Sequence, residues 1–130
     1  MERNEKTRAL LAAFGCALAY LLAGKILMAV LPQVPEEAAR MWAFVHRCAA
    51  APIVEELVFR GIIQQLARPL GERQAVALQA VLFAVQHRGP AGMAYALVCG
   101  LVLGTIRSRT GSVWPGMLLH TLNNLLVFAA

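Results

Sequence analysis

An all-α fold, a polytopic transmembrane bundle of about five spans, is what this sequence predicts, and three observations carry it. Hydrophobic residues make up 59% of the chain, above the roughly 45–50% of ordinary soluble domains. Mean hydropathy is +0.62, and only 15% of residues are charged. The apolar residues fall into long segments separated by short turns rich in arginine, proline and glycine. At 130 residues the chain suits one domain, and a soluble domain of that size has too little interior for so much apolar surface.

The first span covers residues 9–31, preceded by Arg3, Lys6 and Arg8. This run of about 23 residues exceeds the 7–15 of a signal-peptide core, so a retained helix is expected, with Lys25 snorkelling near its far end. Pro32 and Pro35 end it. Residues 36–47, with Met41, Trp42, Phe44 and Val45 among polar neighbours, predict a short helix lying in the membrane interface. Residues 48–67 form the second span, with Pro52 kinking it or marking its first turns. After the turn at 68–73, residues 74–87 give a helix of only about 21 Å, short for a bilayer. Residues 88–92 should break the chain before a further span at 93–106. There Gly100 and Gly104 offer a small-residue face for close helix packing. A basic turn at 107–111 leads to the last helix, residues 113–130, with Pro115 in its opening turn.

Five spans put Arg3, Lys6, Arg8, Arg68, Arg73, Arg107 and Arg109 on one side, and Arg40, Arg47 and Arg88 on the other. The positive-inside rule then sets the N-terminus in the cytoplasm. The formal charge of +5 is scattered at span edges with no basic stripe, which argues against a nucleic-acid partner. Cys16, Cys48 and Cys99 are odd in number, sit in apolar contexts and lack C-x-x-C spacing, so they read as small buried hydrophobes.

Three polar clusters interrupt these apolar stretches, where ionisable residues are costly and mark function. The first holds Glu55, Glu56 and Arg60. Glu56 and Arg60 are four apart and share a helix face, while Glu55 points about 100° away. One carboxylate is thus paired and structural, the other free to serve as a general base. The bland alternative is an ion-pair network at a helix end. The second cluster pairs Phe83 with His87, an aromatic wall one turn from an imidazole that either orients a water or caps the helix. The third sets His120 and Asn124 on one face, two donors suited to an oxyanion or to interhelical packing, with Asn123 pointing away as packing glue. Glu55 or Glu56 with His87 and His120 would also supply three zinc ligands, although no H-E-x-x-H is present. A serine nucleophile fares worse: Ser108 and Ser112 lie in a turn and no G-x-S-x-G occurs.

In that order the residues Glu55-Glu56…Arg60, Phe83…His87 and His120…Asn124 resemble the E-E-x-x-x-R, F-x-x-x-H and H-x-x-x-N/D motifs of the CPBP family. This family comprises CAAX proteases and bacteriocin-processing membrane proteins. Ala51-Pro52-Ile53-Val54, Phe59-Arg60-Gly61 and the stretch from Arg109 to Pro115 look like the family too, so the likeness spans roughly residues 48–128. It implies one membrane domain over 1–130, with a catalytic core at 48–130 and an N-terminal helix and interfacial segment at 1–47. It also implies a glutamic-type intramembrane endopeptidase. Glu55 would activate water, His87 would position it, His120 and Asn124 would line the oxyanion hole, and Glu56 and Arg60 would hold the geometry. The resemblance favours a mechanism without cofactor or metal. It implies a membrane-embedded or lipid-associated peptide or protein as substrate, and a place in a bacterial cytoplasmic membrane. Only one helix precedes the core, fewer than in larger members, and a non-catalytic immunity or scaffold role is the alternative the family allows.

Overall fold

A computed structural model describes residues 2–130, and it is helical throughout, with no strand among the described residues. Seven α-helices follow in order: α1 (Glu2–Val30), α2 (Glu36–Val45), α3 (Ala51–Glu55), α4 (Gln64–Leu66), α5 (Glu72–Ala84), α6 (Gly89–Thr110) and α7 (Trp114–Ala129). Two π-helical segments, His46–Ala50 and Glu56–Ile63, join α2 to α3 and α3 to α4. Helices α1 and α6 are each long and apolar enough to cross a membrane. At 13 and 16 residues, α5 and α7 are shorter than a full span.

Residues 36–66 form one unbroken rod, because the backbone stays right-handed helical at Val45, Ala50, Glu55 and Ile63, where one winding passes into the next. This corrects the expectation of a separate interfacial helix at 36–47. No glycine, proline or turn residue lies between Val45 and Cys48 to end a helix. The rod changes winding instead. Its first π-helical segment ends just before Pro52, where the wider turn eases the clash of the proline ring with the carbonyl behind it.

The helix ends at 84–92 also differ from expectation. Helix α5 stops at Ala84, and His87 sits in the turn beyond it, its N–H donating to the Ala84 carbonyl. Residues 88–92 do not break the chain at length. Gly89 and Pro90 open α6, since proline fits a first helical turn, where its missing N–H has no partner to lose. Gly111, at φ 70°, closes α6.

Packing places the site. Ala9, Ala13 and Ala17 form the buried stripe of α1, and a cluster with Phe59, Ile63, Leu82 and Phe83 holds α1 against the rod and α5. Tyr20 meets Phe59 edge-on, with ring centroids 5.5 Å apart. Beyond it, residues 21–30 of α1 are exposed, as expected of a lipid-facing helix. The glycine face of α6 is used as its spacing implies: a Cβ at Gly100 would lie 2.9 Å from the Ala80 Cα. Two buried glutamines use the same close approach. Gln79 Nε2 donates to the Gly100 carbonyl at 2.7 Å, and Gln64 Nε2 to the Gly104 carbonyl at 2.9 Å and Ser108 Oγ at 3.0 Å.

Candidate active site

The second π-helical segment carries Glu56 and Arg60 into the interior, where both side chains are fully buried (0% exposed). Arg60 Nη1 lies 3.1 Å from Glu56 Oε1, and the guanidinium sits over the Phe83 ring at 4.4 Å. The same Glu56 oxygen is 2.9 Å from His120 Nδ1. The other carboxylate oxygen faces α7 closely enough that a Cβ at Gly116 would come within 2.8 Å of it. A glycine at the head of α7 is therefore what lets this carboxylate fit.

Glu55 approaches the same imidazole from its other nitrogen, His120 Nε2 to Glu55 Oε2 being 3.5 Å. The expectation that the two glutamates diverge holds for their burial and not for their partner. Glu56 is sealed, Glu55 is part-exposed at a cavity wall, and His120 bridges them because an imidazole presents nitrogens on two sides. Glu56 thus holds Nδ1 at hydrogen-bond distance, and the longer 3.5 Å approach to Glu55 leaves Nε2 loosely engaged beside the cavity that both residues line.

His87 stands on the turn after α5. Its Nδ1 is 3.0 Å from the Phe83 carbonyl, and its ring meets Phe83 edge-on with centroids 4.7 Å apart. A carbonyl only accepts, so Nδ1 donates this bond and Nε2 is the nitrogen left facing away from it. Phe83 also packs edge-on against His120, at 5.9 Å, and against Phe59. It is buried against both imidazoles and does not itself line the cavity.

Asn124 donates from Nδ2 to the Arg47 carbonyl at 2.9 Å, and its Oδ1 accepts from Asn123 Nδ2 at 3.3 Å. Asn123 accepts in turn from the Tyr95 hydroxyl. Glu55, His87, His120 and Asn124 all line one cavity of about 490 Å³, together with His46, Arg47, Tyr95 and Asn123 and the apolar Ala51, Val127 and Phe128. Glu56 and Arg60 lie behind that wall. Among the described residues, no three His, Cys, Asp or Glu side chains converge as a metal-binding set. Sequence reasoning missed Tyr95, His46 and Arg47 as cavity residues and treated Asn123 as packing alone. Tyr95 stands inside an apolar helix with no motif around it, so only tertiary structure brings it to the site.

A helical chain with apolar, membrane-compatible helices and a cavity whose wall carries carboxylate, imidazole and amide groups fits an integral membrane protein. The model of the type II CAAX prenyl endopeptidase Rce1-like family matches residues 37–126, well over half of the chain. The chain belongs to that family, a family of membrane proteases, as its motifs lead one to expect. The match begins inside α2 and takes in every one of the seven motif residues. No curated protein and no solved structure matches the chain.

Proposed function

We propose that this protein is a glutamic-type intramembrane endopeptidase. One observation carries the reading: Glu55, His87, His120 and Asn124 line a single cavity, while Glu56 and Arg60 are sealed behind it as a support. In the reaction, Glu55 takes a proton from water as that water attacks the scissile carbonyl, and Nε2 of His87 holds the water in line. Negative charge develops on the carbonyl oxygen, and N–H groups of Asn124 and His120 stabilise it. Collapse breaks the C–N bond, and Glu55 returns its proton to the leaving amine, giving a free acid and a free amine. Glu56 orients His120 through the 2.9 Å contact, and Arg60 holds Glu56 in place. Every step is assigned to a side chain of this chain, so neither cofactor nor metal enters.

We read residues 1–130 as one membrane domain of about five spans, with 48–130 the catalytic core and 1–47 its N-terminal support. The arginines of the 68–73 and 107–111 turns, with those near the N-terminus, favour a cytoplasmic N-terminus in a bacterial membrane. The substrate is a membrane-embedded or lipid-associated polypeptide, because apolar residues such as Val127 and Phe128 share the cavity wall with the polar set. The test is Glu55→Gln, which keeps shape and removes the base. Cleavage should vanish while the melting temperature in detergent holds. Function that survives Glu55→Gln combined with His87→Ala would turn the reading to the non-catalytic immunity or scaffold role.

A further inference from the structure

Of the two proposed oxyanion donors, His120 is oriented by Glu56, and the orientation of Asn124 has a cause that begins at Pro52. In the first π-helical segment the Ala51 N–H donates to the His46 carbonyl, five residues back. The next donor in that winding would serve the Arg47 carbonyl, and it belongs to residue 52, a proline without an N–H. The Arg47 carbonyl is left for the side chain of Asn124, whose Nδ2 donates to it at 2.9 Å.

That contact fixes the whole row. A carbonyl only accepts, so the nitrogen of Asn124 faces it and the Asn124 oxygen is turned back toward Asn123. Asn123 Nδ2 donates to that oxygen at 3.3 Å. The oxygen of Asn123 is thereby turned toward α6, where it accepts from the Tyr95 hydroxyl. Every bond runs in one direction, from Tyr95 through Asn123 and Asn124 to the Arg47 carbonyl, so each amide is polarised by the donor behind it and becomes a better donor itself. Asn124 spends one of its two N–H groups on Arg47. The other remains, and Arg47, Tyr95, Asn123 and Asn124 all line the cavity.

We propose that Tyr95, Asn123 and Pro52 are positioning residues, which orient and polarise the Asn124 amide so that its spare N–H meets the oxyanion. The proposal rests on the protease reading above. It differs from a packing role in a measurable way, because a row that acts through Asn124 has no effect on catalysis once Asn124 is gone.

The experiment is a set of double-mutant cycles on the full chain in detergent. Its substrate is the polypeptide whose cut in expressing membranes disappears with Glu55→Gln. Asn124→Ala should lower kcat about 100-fold, as loss of an oxyanion donor does. Asn123→Asp keeps the acceptor for Tyr95 and loses the donor to Asn124, and Tyr95→Phe removes the head of the row. Both should lower kcat several-fold with KM unchanged. Pro52→Ala supplies an N–H that competes for the Arg47 carbonyl, and should lower kcat likewise. In an Asn124→Ala background all three should be silent. Stability gives a second arm that needs no substrate. Asn124→Ala should lower the melting temperature in the wild-type chain, and by about half as much or less once Pro52→Ala provides the replacement donor. Additive effects on kcat in the Asn124→Ala background, or an undiminished cost of Asn124→Ala with Pro52→Ala present, would overturn the proposal. Full kcat in Asn124→Ala beside a dead Glu55→Gln would overturn it and leave the protease standing. An active Glu55→Gln would instead bring down the reading beneath it.

Discussion

The two ends of the 46–66 part of the rod are built alike and used differently. Each contains a π-helical segment, and each places polar side chains among apolar ones. At the 56–66 end, Glu56, Arg60 and Gln64 are buried against Phe83, α6 and α7, and each has a fixed partner. At the 46–55 end, Arg47, Ala51 and Glu55 wall an open cavity. The closed end pairs Glu56 with Arg60 and His120, and Gln64 with α6, yet leaves Glu56 Oε2, Arg60 Nε and Gln64 Oε1 buried without a hydrogen-bond partner, whereas the open end presents its polar groups to a cavity. A buried polar group left unpaired costs about 1–3 kcal/mol, so the closed end carries a cost that groups facing an open cavity avoid. The division of labour between adjacent glutamates is the same contrast on the scale of one residue.

Mutations at the two ends should therefore fail in different ways. The largest effect belongs to the open end. Glu55→Gln should cost about 10³-fold or more in kcat, since a general base contributes on the order of 10²–10⁴. Thermal unfolding should be unchanged, and a variant that is inactive because it is unfolded would erase the distinction between the ends. The closed end should show the reverse. Arg60→Met leaves the buried Glu56 carboxylate without its cation and should destabilise the chain by about 3–5 kcal/mol, read from the melting temperature or chemical denaturation. An Arg60→Met protein of normal stability would mean that the pair contributes to chemistry rather than to the fold.

A smaller effect sharpens the packing side of the comparison. Gly100→Ala pushes a methyl against the Ala80 backbone and should cost about 1–3 kcal/mol, with KM unaltered. Gln64→Leu should cost only about 0.6–1.7 kcal/mol, the worth of a polar contact between membrane helices. The smallest effect expected is that of a chelator. Glutamate-activated water needs no ion, so stripped protein should cleave at the rate of untreated protein, and activity restored only by stoichiometric zinc would replace the mechanism.

The grouping of the candidate site was legible in the sequence because it sits at helical spacings: Glu56 with Arg60 and Phe83 with His87 lie four apart and meet in space, and His120 and Asn124, also four apart, line one cavity. The close approach at Gly100 and Gly104 was legible for the same reason. What was not legible lacks a local signature. No residue type announces a π-helical segment, so the continuity of the rod through Val45 and His46 escaped notice. Pro90 and Gly89 carry the same letters whether they break a helix or begin one. Gln64, Gln79 and Tyr95 stand singly in apolar helices, and their roles come from carbonyls and amides brought to them by other segments. The mutual partner of Glu55 and Glu56 is likewise a fact of packing, because a helical wheel shows where side chains leave the backbone and not which ring bridges them.

The most direct test of the open end as a proteolytic site is mass spectrometry of membrane polypeptides from cells expressing either the wild-type chain or Glu55→Gln at equal levels. The account predicts at least one polypeptide cut in the wild-type membranes and intact in the Glu55→Gln membranes. The same cut appearing in both would contradict it.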